Sequence, residues 1–269
     1  SLLFMPADNA RFVAAAPTRG ADAIILDLED AVAPDAKAAA RRVLAVHADR
    51  LAAAQMPVVV RVNNEPALLG ADIAAAARPS VAAILLPKVE DAATVSGICV
   101  DIPIIPQIET PRGVLAVAAI AAADPRVAAL AFGPEDLSLA LGTASSVDAM
   151  ALPAQMVVIA AAASGIPAIG LAGGLADIAA GAAYAESARR SRALGFSAGL
   201  CIHPAQVPLV NAVFGPTASE IAEAQAVRDG FDAALARGEG AARIAGRMVD
   251  RPVYLRALAT LARAGHSHS

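Results

Sequence analysis

Short apolar runs punctuate the chain at residues 1–6, 21–28, 57–62, 82–86, 102–108, 127–132, 167–172 and 198–202. None alternates polar with apolar residues, so each reads as a strand of a parallel sheet buried on both faces. Longer Ala-rich stretches between them read as helices: 8–16 capped by Asp8 or Asn9, Pro34 towards Ala54, 68–77, 151–163, and 179–194 stopped by Gly195. Strand and helix alternate about eight times, which predicts an α/β chain closed into a (β/α)8 TIM barrel over residues 1–215. An open doubly wound sheet is the alternative, but no Gly-x-Gly-x-x-Gly follows any strand.

After the barrel, residues 216–264 predict a C-terminal helical extension of the same domain, a lid or an arm. It comprises a helix over 219–237, a hinge at Gly238-Glu239-Gly240 flexible as far as Arg247, and a helix over 252–263. Residues 265–269 read as a disordered tail, with His266 and His268 belonging to it and not to a metal site.

Composition narrows the partners. Hydrophobic residues make up 57% of the 269 positions but aromatics only 3%, so Ala, Val, Leu and Ile carry the packing. A net charge of −4 offers no broad basic surface, which argues against nucleic acid. Residues 149–176 carry no charge and are long enough to span a bilayer, yet Ser164-Gly165-Ile166-Pro167 divides them into a buried helix, a turn and a strand. No membrane span is expected. Cys99 and Cys201, each in an apolar run, read as buried free thiols. With no signal peptide visible at Ser1-Leu2-Leu3-Phe4, they point to a reducing cytoplasm.

Polar residues collect where the strands end. Glu29, Asp30, Arg61, Asn63, Lys88, Glu90, Glu109, Asp136 and His203 all lie at or just beyond such ends, and in a barrel those ends share one rim. Glu109 and Asp136 are carboxylates with no nearby His or Cys, a donor set that suits Mg²⁺; each could instead cap the helix that follows. Arg61 offers a planar fork for a substrate carboxylate, or a structural ion pair with Asp27 or Glu29. Lys88 is open to a Schiff-base role or to that of an ordinary charged lysine. His203 is either catalytic or a packed, hydrogen-bonded side chain. Gly170 to Gly174, after the seventh strand, stand where barrels often hold phosphate.

Several strings carry a family resemblance: Ser1-Leu2-Leu3-Phe4-Met5-Pro6, Leu26-Asp27-Leu28-Glu29-Asp30-Ala31-Val32, Val60-Arg61-Val62-Asn63, Leu86-Pro87-Lys88-Val89-Glu90 and Ile108-Glu109-Thr110-Pro111-Arg112-Gly113. Phe132-Gly133 with Asp136-Leu137, Gly195-Phe196, Ile202-His203-Pro204-Ala205-Gln206 and Met248-Val249-Asp250 continue the series. Together they resemble the citrate lyase β-subunit and malyl-CoA lyase group of the HpcH/HpaI aldolase family. The resemblance implies a TIM barrel forming homotrimers or hexamers, Mg²⁺ on Glu109 and Asp136, and Arg61 as the clamp for an α-keto acid carboxylate. It implies cleavage of a β-hydroxyacyl thioester, carried by CoA or by an acyl carrier, into an acyl thioester and a keto acid. It also implies Asp250 as a proton-transfer residue on a lid that reaches a neighbouring subunit's site. Glu29 is expected among the catalytic residues, and Gly133, Pro134 and Glu135 at the substrate. Thioester hydrolysis, and a degenerate barrel serving only as a binding or assembly subunit, are the other readings. Two departures fall on the expected thioester side: Gly170 where relatives often carry an acid, and Leu200 where they usually carry Lys.

Overall fold

The computed structural model describes residues 1–174 and 181–266. The chain divides into two compact units, Ser1–Phe214 and Gly215–Ser269. The first runs β1 (Leu2–Pro6), α1 (Ala10–Ala15), β2 (Ala23–Asp27), α2 (Lys37–Ala53), β3 (Val58–Arg61), α3 (Pro66–Ala76), β4 (Ala83–Leu86), α4 (Ala92–Ser96) and β5 (Ile104–Ile108). It continues through α5 (Pro111–Ala121), β6 (Leu130–Phe132), α6 (Pro134–Leu141), α7 (Val147–Ala163), β7 (Ala168–Gly170), α8 (Gly181–Leu194), β8 (Leu200–Cys201) and α9 (Val207–Phe214).

The eight strands form one sheet in the order β7-β6-β5-β4-β3-β2-β1-β8, and their pairings are parallel. Between β7 and β8 the ring closes through a parallel bridge at Ile169 and Ala198. There Gly170 N–H donates to the Ala198 carbonyl at 2.9 Å, and Ser197 N–H to that of Ala168 at 2.8 Å. This is the (β/α)8 barrel that the alternation predicts.

Two apolar layers explain the runs. Leu3, Ile24, Leu26, Val58, Val60, Ile84, Leu86, Ile104, Ile108, Leu130 and Phe132 belong to the large core that also takes in the helices. Ile25, Val59, Ala83, Leu85, Ile105, Ala129, Ala131, Ile169 and Leu200 form a separate core with Leu2, Phe4 and Ala198, the filling of the barrel itself. Strand side chains repeat every second residue, so the inner set leads by twos to Asp27, Arg61, Gln107 and Glu109 at the rim. The chain's hydrophobic continuity therefore hides a strict inside–outside alternation.

Local rules place the helix starts. Thr110 caps α5 by accepting Gly113 N–H at 3.0 Å, with Pro111 in the first turn. Ser146 caps α7 through Ala149 N–H at 3.2 Å, which starts that helix at Val147, ahead of the expected 151, and leaves Pro153 inside it. One thiol expectation needs correction. Cys201 is buried, but Cys99 is exposed in the turn after α4, between Ile98, which is buried in the core, and Val100, which packs against it. Among the described residues, no helix is long and apolar enough to cross a membrane.

In the second unit, α10 (Ala218–Ala236) and α11 (Arg251–His266) flank a hairpin of β9 (Ala242–Ile244) and β10 (Arg247–Val249). A reciprocal cap starts α10, with Glu220 N–H to Thr217 Oγ1 at 3.1 Å and Thr217 N–H to Glu220 Oε2 at 2.8 Å. The unit has its own small core of Ala224, Val227, Phe231, Val249 and Ala257, with Tyr254 stacked on Phe231 at 4.8 Å. The flexible stretch expected up to Arg247 is instead largely this antiparallel hairpin. Ala245 and Gly246 turn it with φ of 48° and 80°, the paired positive values of a tight primed turn. The last helix also takes in Gly265 and His266 of the expected tail, and residues 267–269 lie outside the described residues.

Candidate active site

Asp27 organises the rim where β2 ends. Its Oδ1 accepts Glu29 N–H at 2.9 Å and its Oδ2 accepts Ala31 N–H at 3.0 Å, which folds the acidic loop back over the strand. On the adjacent strand Arg61 is its registered partner. Arg61 Nε donates to Asp27 Oδ1 at 2.7 Å and NH2 to Oδ2 at 2.6 Å, a bidentate pair. NH1 lies 3.0 Å from Glu29 Oε2 and 3.8 Å from Asp30 Oδ2, and the guanidinium sits 4.8 Å over the Phe4 ring. Burial alone would lower the Arg61 pKa, but Asp27 and Glu29 raise it, so the group stays charged.

Beneath this loop runs a second polar chain. Lys37 Nζ donates to the carbonyls of Leu28 at 2.9 Å and Glu29 at 2.7 Å, and to Asn63 Oδ1 at 2.8 Å. Asn63 in turn donates to Asp72 Oδ2 from its backbone N–H at 2.8 Å and its Nδ2 at 2.6 Å, while Arg41 NH1 holds Asp72 Oδ1 at 2.8 Å. Asn63, read as a rim residue, is therefore a strut under the loop.

Glu109 sits across the rim, only 2% exposed. Its Oε1 accepts Lys88 N–H at 2.8 Å and its Oε2 accepts Gln107 Nε2. Burial, and then the carboxylates of Glu29 and Asp136, push its pKa up to about 8. Gly133 leaves it room: a Cβ there would stand 2.3 Å from Glu109 Oε2. Asp136 projects from the first turn of α6, with Lys88 Nζ 3.7 Å away. Lys88 also hydrogen-bonds Glu29 Oε1 and lies 3.7 Å from Asp30 Oδ1. Although partial burial opposes it, the bond to Glu29 and the surrounding acids keep this amine protonated, which favours the ordinary charged lysine over a Schiff base.

Asp27, Asp30, Arg61, Glu109 and Asp136 border a cavity of about 500 Å³, whereas Glu29 and Lys88 are not among its lining residues. Its polar wall includes Arg61, Gln107, Glu109, Gly133, Pro134, Glu135 and Asp136, and its apolar wall Phe4, Met5, Phe12, Phe132, Leu200 and Ile202. Glu135 Oε1 accepts the Ser145 hydroxyl at 3.0 Å. Gln107 Oε1 and Glu29 Oε2 are buried without a hydrogen bond. Glu29 Oε2 has Arg61 NH1 at 3.0 Å but not along an N–H direction.

Other expected residues lie elsewhere. His203 is not among the cavity residues; its Nδ1 accepts Ala205 N–H at 3.2 Å and caps the short turn Pro204–Gln206. Glu90 faces Arg112 at 4.0 Å. The N–H groups of Gly170, Ala172 and Gly174 already donate to the Ala198 carbonyl, Ser191 Oγ and the Ser145 carbonyl, which leaves that turn few amides for phosphate. Gly170 also has a φ of 134° and a Cβ position 2.8 Å from the Phe132 carbonyl, so its backbone disfavours the acid that the resemblance leads one to expect there. Asp250, in the second unit, accepts Val253 N–H at 3.2 Å as the cap of α11. Sequence reasoning passed over Gln107 and Phe4. Gln107 stands two residues before Glu109 on one strand, so period-two reasoning would have found it.

Comparisons with known proteins agree with this fold. The family model described as HpcH/HpaI aldolase/citrate lyase matches residues 1–204. A citrate lyase subunit beta-like protein of Deinococcus radiodurans is 35% identical over 96% of this chain and 94% of its own length. A (3S)-malyl-CoA thioesterase of Cereibacter sphaeroides is 36% identical over 98% of this chain and 94% of its own. Among solved structures, CitE of Mycobacterium tuberculosis in complex with magnesium, acetoacetate and coenzyme A aligns with a TM-score of 0.80 at 35% identity, covering 98% of this chain and 97% of that one. With the barrel and these relatives in agreement, the chain belongs to the HpcH/HpaI aldolase/citrate lyase family, whose members here are named for lyase or CoA-ester chemistry.

Proposed function

We propose that this enzyme is a Mg²⁺-dependent carbon–carbon lyase. It splits a β-hydroxyacyl thioester of the malyl-CoA, citramalyl-CoA or citryl type into an acyl thioester and an α-keto acid. The observation that carries the reading is the meeting of Glu109, Asp136 and Arg61 at one cavity. Glu109 and Asp136 would hold the ion. Among the described residues no cluster of three His, Cys, Asp or Glu forms a full protein cage, which suits Mg²⁺, since it is commonly held by one or two carboxylates and keeps waters or substrate in its other positions. Burial first, and then repulsion from Glu29 and Asp136, raise Glu109, and a divalent cation held by Glu109 and Asp136 would offset that repulsion. When bound, the ion polarises the substrate's hydroxyl or keto oxygen and offsets charge at the reacting centre.

This chain's own residues supply the rest. Arg61 is fixed by Asp27 along one edge; its other edge, NH1 with the second hydrogen of NH2, takes the keto-acid carboxylate. Glu29 steadies Arg61 and Lys88 against the cavity. Gly133, Pro134 and Glu135 border the substrate, with no side chain at Gly133 to crowd it. In cleavage the β-hydroxyl would pass its proton to solvent as the bond from its carbon to the thioester α-carbon breaks. The electron pair passes to the thioester enolate, which is then protonated at carbon. Asp250 is our assignment for that proton transfer.

The relative named a (3S)-malyl-CoA thioesterase supports a second reading, in which the thioester is hydrolysed. Those named for citrate lyase subunit beta support a thioester presented on an acyl carrier. We read the assembly as a homotrimer or hexamer. Leu115, Leu139, Leu152 and Ile159 stand 82%, 79%, 72% and 61% exposed on α5, α6 and α7, an apolar load that suits burial by another copy. Two unpaired cysteines suit a cytoplasmic setting. The deciding experiment incubates the protein and Mg²⁺ with a panel of β-hydroxyacyl-CoA esters, assaying glyoxylate, pyruvate, oxaloacetate and free CoA. A keto acid without free thiol, abolished by excess EDTA, is the expected result. Free CoA without keto acid supports the hydrolase, and turnover in excess EDTA overturns the metal reading.

A further inference from the structure

We infer that the Lys88 ammonium occupies the counter-ion position of the rim carboxylates and competes with the divalent cation for it, so that this side chain sets how tightly the ion is held. The inference rests on the metal reading above. Around the rim, the carboxylates of Glu29, Asp30 and Asp136 all lie within 3.7 Å of the Lys88 ammonium. The charge of Arg61 is largely matched by its bidentate pair with Asp27. Lys88 is the residue that reaches both of the proposed metal ligands. Its backbone N–H donates to Glu109 Oε1 at 2.8 Å, and its Nζ lies 3.7 Å from Asp136 Oδ2 while hydrogen-bonding Glu29.

The two ends of the residue differ in freedom. Its backbone has φ of 51°, a sparsely populated conformation for a lysine, and Asn64 Nδ2 pins the carbonyls of Pro87 at 2.9 Å and Lys88 at 3.3 Å. Its side chain is 42% exposed, with a route to solvent. A fixed backbone keeps the N–H grip on Glu109 whether or not the ion is present. The ammonium can yield Asp136 when a doubly charged ion arrives, and it reclaims that position when the ion leaves. The chain thus keeps its carboxylates together without metal, at the expense of weaker metal binding.

The test counts bound Mn²⁺ from the loss of the free-ion EPR signal, with Mg²⁺ as competitor and no substrate present. Lys88→Asn removes the charge with a residue that accepts positive φ; Lys88→Gln does so with a longer one; Lys88→Arg keeps the charge. Both neutral variants should bind Mn²⁺ about five- to tenfold more tightly than wild type, as expected when a cation a few ångströms away is removed from a partly solvated site, with Lys88→Arg close to wild type. Circular dichroism confirms folding, and either neutral variant that folds is sufficient. Equal or weaker binding by a folded neutral variant overturns the inference and makes Lys88 a structural strut. Absence of Mn²⁺ binding by wild type overturns the metal reading itself, a separate outcome.

Discussion

Arg61 carries five N–H donors on a rigid plane, and its surroundings divide them. Asp27 takes one edge in a bidentate pair, so the two readings of this residue, structural ion pair and substrate clamp, describe two edges of one group. Lys keeps the charge but lacks the plane and cannot serve both. Arg61→Lys should therefore lower kcat/KM about 100-fold, the equivalent of one or two charge-assisted hydrogen bonds, while circular dichroism stays unchanged. Wild-type kcat/KM in Arg61→Lys would place the clamp elsewhere, with Arg112, exposed near Glu90, the next candidate. Residue type and strand-end position were enough to bring Arg61, Glu109 and Asp136 to one rim in advance, with Glu29 beside Arg61. Asp27 and Glu29 were legible as ion-pair partners of Arg61 as well; the bidentate geometry was not, because it depends on the register between two strands, which no single strand encodes. His203 shows the converse: its strand-end position is genuine, but a local cap to Ala205 accounts for it.

At the scale of elements, the eight buried runs were legible because a strand covered on both faces must be apolar throughout. Their division into an inner and an outer layer was implicit in the same positions once the parity was followed from Ile105 through Gln107 to Glu109. The hairpin Ala242–Ile244 with Arg247–Val249 was not legible: each strand has three residues, too few to show a period, and Ala245-Gly246 lacks the usual Asn-Gly or Asp-Gly turn signal. The joint between β6 and α6 carries the next prediction. Gly133 has φ of −109°, which any residue adopts, so its need for glycine is steric. An added Cβ would lie 2.3 Å from Glu109 Oε2, 2.8 Å from Glu109 Cβ and 2.9 Å from Gln107 Nε2, all within the corner we propose for the metal. Gly133→Ala should lower Mn²⁺ affinity about tenfold or more and stability by about 1–3 kcal/mol, read by EPR and by urea unfolding. Unchanged metal binding would show that Glu109 can move aside, and that its present placement is not the one the ion needs.

At the scale of the whole molecule, the open question is where Asp250 acts. Within its own unit it follows β10 and caps α11 through Val253 N–H, a role that would by itself explain an acid before Pro252. Our functional reading gives it a second task, proton transfer at the thioester of a neighbouring subunit. The two accounts make different predictions for a mixed oligomer. Asp250→Asn retains a cap-competent side chain, so the helix should survive while proton transfer fails. Glu109→Gln should remove the metal site and leave the second unit intact. Each variant alone should be inactive. Mixed under conditions of demonstrated subunit exchange, some neighbours would pair an intact Asp250 with an intact Glu109, and a fraction of wild-type activity should return. That fraction should rise with the extent of exchange measured by mass spectrometry of isotope-labelled subunits. Full exchange with no recovered activity would confine Asp250 to its own chain or to its cap, and full activity of Asp250→Asn alone would remove it from the chemistry.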